Sequence, residues 1–209
     1  MGDDRAMTTA LLELGSATLG ESGGLPMHHR LSAVWPGAAL AAPAYPVRCA
    51  PSDNLAIHTA VVRAPAGSVL VVDVGHVPDR GYWGEVLTTG AEARGLVGLV
   101  IDGGVRDTAA LQAHGFPVFS ALVALRGASK EHPGTNGMPV DVGDVPVSMG
   151  DWVVGDADGV VVVPGDKLDE VLAAGKARAE KEEGFFSALR SGGSTVELLG
   201  LNASLVAQA

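Results

Sequence analysis

Cysteine, aromatic residues, lysine and long apolar runs are all scarce in this chain. One cysteine, Cys49, in 209 residues has no intrachain partner, which excludes a disulfide-stapled scaffold and points to a reducing, cytoplasmic setting. Four Lys and ten Arg are scattered among 24 Asp plus Glu, for a formal charge of −10, so no clustered basic face awaits a phosphate backbone and nucleic acid is not an expected partner. No run of about 18 apolar residues is present, and Met1-Gly2-Asp3-Asp4-Arg5 lacks the layout of a signal peptide, so no membrane partner is expected. Only nine residues are aromatic while 29 are glycine, which implies a core of Val, Ala and Leu with many tight turns. The length and the 47% hydrophobic content suit a single domain over residues 1–209, with an N-terminal helical cap at 8–22 and a tail from 184.

The middle of the chain is the most regular part. Ser68 to Val74 and Leu96 to Asp102 are continuous apolar runs, the pattern of strands buried on both faces, and Phe116 to Phe119 starts a third. Between them, Glu85 to Arg94 and Asp107 to His114 read as short helices stopped by Gly95 and Gly115, with Gly103-Gly104 read as a tight turn. Strand, helix, strand, helix, strand at this spacing predicts an α/β fold with a right-handed parallel βαβαβ unit whose loops at the strands' C-terminal ends carry function. Upstream, Thr8 to Glu21 reads as a helix with a break and second N-cap at Gly15-Ser16. The segment Gly37 to Cys49, interrupted by Pro43 and Pro46, reads as an edge or bent strand, and Asp53 starts a helix that ends at Arg63. Downstream, short runs within 139–163 predict a β-rich layer. Asp166 is placed as the cap of a long C-terminal helix over Lys167 to about Glu183, and Ser194-Thr-Val-Glu197 has the form of a capping box.

Two helix starts fall at the same edge of this sheet, Gly84-Glu85-Val86-Leu87 and Gly103-Gly104-Val105-Arg106-Asp107. Helix N-termini present unpaired N–H groups, and Arg106 adds a planar charged fork, which together describe a small-anion site for a carboxylate or 2-keto-acid. Each residue also has a structural account: Asp107 as the N-cap of its own helix, Glu85 as a dipole partner, Arg106 as an ion-paired arginine. His28 and His29 are adjacent, with side chains expected to diverge rather than share a metal; His76 is read as a surface histidine and Cys49 as a buried structural thiol. Lys130 in a polar loop, and Lys167, Lys176 and Lys181 on the last long helix, offer no desolvated amine for Schiff-base chemistry.

Trp83-Gly84-Glu85-Val86-Leu87 and Gly98-Leu-Val-Ile-Asp-Gly-Gly-Val-Arg-Asp107, with 21 residues between Gly84 and Arg106, resemble the paired motifs of the 4-hydroxy-4-methyl-2-oxoglutarate aldolase family, also called the RraA-like family. Asp53-Asn54-Leu55, Ala64 to Asp73 and Gly155 to Pro164 extend the likeness. The resemblance implies a swivelling β/β/α domain, a homotrimer or homohexamer, and a metal-dependent (class II) pyruvate aldolase with oxaloacetate decarboxylase activity. On matching positions it implies that Arg106 holds the 2-keto-acid, Asp107 contacts Mg²⁺ or Mn²⁺, and Glu85 orients a catalytic water. It makes Gly84 and the backbone of Val86 and Leu87 part of the substrate site, and it offers Glu182 or Glu183 of a neighbouring subunit as a further metal ligand. Two departures stand out: Ala110 lies where the aldolase signature is acidic, and the Gly75 to Gly81 loop differs, with Arg80 placed either on a second carboxylate or in solvent. A non-catalytic regulator that binds a ribonuclease, or an enzyme for another enolate-type C–C cleavage, are the alternatives.

Overall fold

The computed structural model describes residues 2–207, which run through α1 (Gly2–Gly20), β1 (Leu25–Pro26), β2 (Ser32–Ala33), β3 (Leu40–Arg48), α2 (Leu55–Arg63), β4 (Val69–Asp73), β5 (Gly81–Trp83), α3 (Glu85–Glu92) and β6 (Gly98–Val105). The order continues with α4 (Thr108–His114), β7 (Val118–Val123), β8 (Thr135–Asn136), β9 (Val140–Val142), β10 (Val145–Val147), β11 (Trp152–Gly155), β12 (Val160–Val163), α5 (Leu168–Arg190) and α6 (Thr195–Leu198). One curled mixed sheet has the order β1-β12-β11-β3-β4-β6-β7-β2, with β5 added to β6 and β8 to β3, while β9 and β10 form a separate hairpin. Strands β3, β4, β6 and β7 are parallel neighbours, the expected parallel unit extended by one strand.

This parallel unit is apolar on both faces because layers cover both. Leu70, Val72, Leu99 and Ile101 pack under α2, α3 and α4, while Val69, Val71 and Val100 point into a second core shared with β9, β10, β11 and β12. Each fully buried Val or Leu contributes roughly 1.5–3 kcal/mol relative to exposure. The second core is narrow. A Cβ on Gly155 in β11 would come within 2.7 Å of the Phe119 ring from β7, so the curled sheet packs on itself with little room for aromatics. A third cluster joins α1 and α5 to β11 and β12.

Several expectations change in three dimensions. Strand β3 lies inside the sheet order, with Leu40–Pro43 paired to β11 and Ala44–Pro46 to β4; Pro43 and Pro46 flank the change of partner, and the second half's other side carries the bonds from Ala44 N to Asp151 O and from Gly137 N to Pro46 O, each 2.8 Å. Gly103-Gly104 is no turn but the continuation of β6. There a Cβ on Gly103 would meet Val74 at 2.8 Å and one on Gly104 would collide with the Arg80 carbonyl, so close backbone approach, not chain reversal, demands the pair. Gly15 does break α1, with φ 76°, but Ser16 is not the cap. The Asp156 carboxylate accepts from Ser16 N at 2.7 Å and from its Oγ at 2.6 Å, capping the second segment from the β11–β12 turn. Burial raises the Asp156 carboxyl, but these bonds outweigh it and hold it below its usual range. Asp166 sits in a 3₁₀ turn, Gly165–Lys167, and does not cap α5, which continues through Gly184 to Arg190. Ser194 caps α6, its Oγ accepting from Glu197 N at 3.2 Å, but the Glu197 carboxylate accepts from that same Oγ at 2.9 Å and not from Ser194 N, so only one arm of the expected capping box forms. No helix among the described residues is long and apolar enough to cross a membrane.

Candidate functional site

Strand β6 ends at Val105 and the chain enters α4 through Arg106 and Asp107, while the adjacent β5 ends at Trp83 and enters α3 through Gly84. Arg106 N–H donates to the Trp83 carbonyl at 2.9 Å, which locks the two exits side by side. Asp107 adopts a left-handed conformation, φ 58°, and makes no side-chain cap on its own helix. It instead accepts from Glu85 N at 3.1 Å, so it caps the neighbouring α3, and its Oδ2 lies 3.8 Å from Arg106 Nε. The ordinary N-cap role is thereby corrected: the carboxylate is turned across to the other helix start.

Gly84 is extended at φ −169°, which any residue adopts, so its role is steric. A Cβ there would collide with Asp107 Oδ2 and approach Arg106 Cγ to 3.1 Å. The first helical bond of α3 runs from Thr88 N to Gly84 O at 3.1 Å, which leaves the N–H groups of Val86 and Leu87 without partners in the helix. These groups border a cavity of about 190 Å³ with Arg106 and Asp107 in its wall, a volume suited to a small acid.

Three residues that the sequence reading did not assign to the site line the same cavity: Asn54, His58 and Lys130. Asn54 and His58 come from the N-cap and first turn of α2, and Asn54 Nδ2 donates to the Tyr82 carbonyl at 2.8 Å. Lys130 arrives on a loop drawn inward by Asp53, which is 1% exposed. Its Oδ2 accepts from Ser129 Oγ at 2.8 Å, Glu131 N at 2.6 Å and His132 N at 3.0 Å, and its Oδ1 from Leu55 N at 2.8 Å. Burial raises the Asp53 carboxyl, but these four bonds prevail and bring it down to about 2. His58 is pushed below its usual value by burial and by the Lys130 charge, which favours the neutral imidazole.

The remaining candidates lie elsewhere. Glu85 is half-exposed and directed towards His114, 3.8 Å away, outside the cavity wall. Arg80 pairs loosely with Asp79 at 3.9 Å and does not line the cavity. Glu182 is held by Arg178 at 2.9 Å, and neither it nor Glu183 reaches the cavity of its own chain. His76 borders a separate cleft with Arg30 and Asp102. His28 and His29 do not diverge; their rings stack at 4.1 Å, and His28 Nδ1 accepts from Arg30 N at 3.1 Å. Cys49 is buried, its thiol pushed up to about 12 chiefly by desolvation.

The family model described as RraA-like, Aldolase/RraA, matches residues 8–162. A protein of Halalkalibacterium halodurans that carries the provisional name 4-hydroxy-4-methyl-2-oxoglutarate aldolase is 36% identical over 141 residues, 68% of this chain and 67% of that protein. An uncharacterized protein of Pseudomonas syringae superimposes with a TM-score of 0.84 at 26% identity, covering 93% of this chain and 92% of its own. RraAS2 of Streptomyces coelicolor, titled an unusual member of the RNase ES inhibitor RraA protein family, gives a TM-score of 0.74 at 27% identity, covering 87% of this chain and 95% of its own.

Proposed function

The chain belongs to the RraA-like family, and from that premise we propose that it is a metal-dependent lyase that cleaves a small 2-keto-acid to release pyruvate, as an aldolase, an oxaloacetate decarboxylase, or both. The observation that carries this reading is the convergence of the Arg106 fork, the Asp107 carboxylate and the α3 N-terminus on one 190 Å³ cavity. The guanidinium and the N–H groups of Val86 and Leu87 hold the substrate carboxylate, and Gly84 leaves room for that approach.

Asp107 fits a divalent cation of the Mg²⁺ or Mn²⁺ class: its carboxylate is half-exposed at the cavity, and such a hard ion takes one or two carboxylates while keeping water and substrate oxygens. Among the described residues no group of three or more His, Cys, Asp or Glu side chains comes together, so one chain supplies only part of a shell. Glu182 or Glu183 of a neighbouring copy is the candidate for the rest. When bound, the ion supplies Lewis-acid polarisation of the 2-keto group. Glu85 is the residue that the family likeness offers for orienting water; its side chain faces His114 outside the cavity wall and takes that role only by turning inward. A homotrimer or homohexamer accommodates both the shared shell and the exposed apolar residues that follow α5, such as Leu199 and Leu201, each 54% exposed.

The test is pyruvate release from oxaloacetate and from 4-hydroxy-4-methyl-2-oxoglutarate, with and without Mg²⁺; absence of metal-dependent turnover of either sinks the reading. Ala110 and the likeness to RraAS2 favour a second reading, a protein that binds and regulates a ribonuclease. Calorimetric Mg²⁺ titration of wild type and Asp107→Ala separates the two, since a pure interaction protein gives the same trace for both.

A further inference from the structure

The cavity wall carries two cations, Arg106 and Lys130, against one carboxylate, Asp107. A substrate carboxylate on Arg106 and the α3 N–H groups leaves Lys130 over. The backbone around Lys130 is fixed: Ser129 N donates to Ser52 O at 2.8 Å, Asn54 N donates to Ser129 O at 2.9 Å, and Ser129 Oγ and Glu131 N, on either side of it, both donate to the buried Asp53. Its head is not fixed. Lys130 is exposed, and among the described residues its Nζ meets only the Ala128 carbonyl, at 3.5 Å, with no carboxylate paired to it. Surface lysines commonly stand in water, but two further observations set this one apart. A Cβ on Gly127 would stand 3.9 Å from Arg106 Nη1, so the loop begins against the guanidinium and reaches Lys130 three residues on, at most about 11 Å of chain. The two cations are thus within reach of the two ends of a short diacid. After burial, the Lys130 charge is what pushes the neighbouring His58 below its usual value, so the ammonium acts on the wall and not only on solvent.

We propose that Lys130 holds the distal carboxylate of the substrate, so that the cavity selects dicarboxylic 2-keto-acids over monocarboxylic ones of the same length. This rests on the lyase reading above. Arg106 takes the carboxylate beside the keto group as a two-pronged fork, and Lys130 takes the other as a point charge with three donors on a flexible stem. The division suits the two ends: the keto-acid head must be fixed for reaction, whereas the place of the distal carboxylate shifts with the substituents between them. Charge agrees, since the wall's two cations outnumber its one carboxylate before any metal ion adds to the excess. Arg80, the other candidate for a second carboxylate, is turned to Asp79 and lies outside the cavity. In aldol cleavage the distal carboxylate departs on the second carbonyl product, so Lys130 bears on recognition and not on the bond that breaks.

The test compares 2-oxoglutarate with 2-oxopentanoate, which share five carbons and a 2-keto-acid head and differ in the distal carboxylate. Neither has a 4-hydroxyl, so neither undergoes aldol cleavage and both report binding alone. In calorimetry with Mg²⁺ present, wild type should bind the diacid about tenfold or more tightly than the monoacid, the scale of one hydrogen bond between charged groups. Lys130→Gln should erase that preference, weakening 2-oxoglutarate about tenfold while the 2-oxopentanoate constant moves by less than about twofold, and Lys130→Arg should retain most of it. In turnover, the kcat/KM ratio of 4-hydroxy-4-methyl-2-oxoglutarate over 4-hydroxy-2-oxopentanoate should fall about tenfold in the glutamine variant. Thermal melting checks that each variant folds as wild type does. No wild-type preference, an equal weakening of both ligands, or no weakening in Lys130→Gln overturns the proposal, and the lyase reading survives that result where wild type still releases pyruvate. Charge-selective binding without turnover of any substrate removes the lyase reading and leaves the diacid site; neither binding nor turnover removes both.

Discussion

Replacing Asp53 by Asn keeps the side chain's shape and removes its charge at the point where two walls of the cavity are tied together. The wild-type carboxylate accepts four hydrogen bonds, from Leu55 N, Ser129 Oγ, Glu131 N and His132 N, at 2.6 to 3.0 Å. An amide has one acceptor oxygen. In one orientation its NH₂ faces the Glu131 and His132 N–H groups, and in the other it faces that of Leu55, so at least one backbone donor is left against another donor. Bonds to a charged acceptor are worth about 1.5–3 kcal/mol each, and with partial relaxation the net loss is roughly 3–5 kcal/mol. At about 2–4 °C per kcal/mol for a chain of this length, Tm falls by about 6–20 °C. Urea and thermal unfolding of wild type and variant at pH 7 measure this directly. The pH dependence gives an independent check. Asp53 titrates at about 2 in the folded protein, below its ordinary value of 3.8, so its stabilisation is complete above the ordinary value and is lost as pH falls from about 4 towards 2. The gap between wild type and variant narrows over that interval. A loss below about 1 kcal/mol at pH 7, or a gap that does not narrow in acid, refutes the view that this carboxylate staples the Lys130 loop to α2.

Four further outcomes follow from the same geometry. Gly84→Ala forces the Asp107 carboxylate aside, because the new Cβ collides with Oδ2, and calorimetry should show Mg²⁺ affinity reduced about tenfold or more, at a stability cost of about 1–3 kcal/mol. Arg106→Lys keeps the charge but loses the two-pronged fork, so equilibrium binding of a pyruvate analogue should weaken about tenfold; unchanged affinity would mean that the fork does not hold the carboxylate. Asp156→Ala removes the cap on the second segment of α1 and should cost about 1–2 kcal/mol in urea unfolding at pH 7. Because its folded-state carboxyl is depressed, that cost should shrink as the solution is acidified below the ordinary carboxylate value. Gly155→Val drives a side chain into the Phe119 ring and should lower Tm by several degrees, whereas Gly67→Ala, at a position with open space but φ 85°, should cost only the strain of a left-handed alanine.

Much of the fold is written in short-range patterns. The β4 and β6 runs are apolar without alternation because layers cover both faces, and that doubling shows in the sequence as Val-Leu-Val-Val and Leu-Val-Ile. Stops at Gly95 and Gly115 were legible since both adopt the left-handed conformation that terminates a helix. The pair Gly103-Gly104 was not: glycine in tandem has the composition of a turn, and only the arrival of Val74 and the Arg80 carbonyl makes it a strand interior. The stacked rings of His28 and His29 belong to the same class, since neighbours in sequence take their side-chain directions from the packing around them.

For the candidate site the division is sharper. Arg106, Asp107 and the α3 start at Gly84 could be brought together from sequence because adjacent parallel strands deliver their C-terminal ends to one edge, a rule of chain topology that needs no coordinates. Asn54, His58 and Lys130 could not. Two of them lie at the start of a helix about fifty residues upstream, and the third lies in a loop with no periodicity of its own, so no local pattern connects either to Arg106. Their meeting depends on one buried carboxylate that gathers donors from positions more than seventy residues apart, and on a backbone carbonyl in β5 that fixes the Asn54 amide. The sequence by itself brought a candidate anion site at Arg106 and the α3 start to one sheet edge; the tertiary structure decided which polar side chains gather around it, because hydrogen-bond partners are a property of the folded neighbourhood and not of the chain.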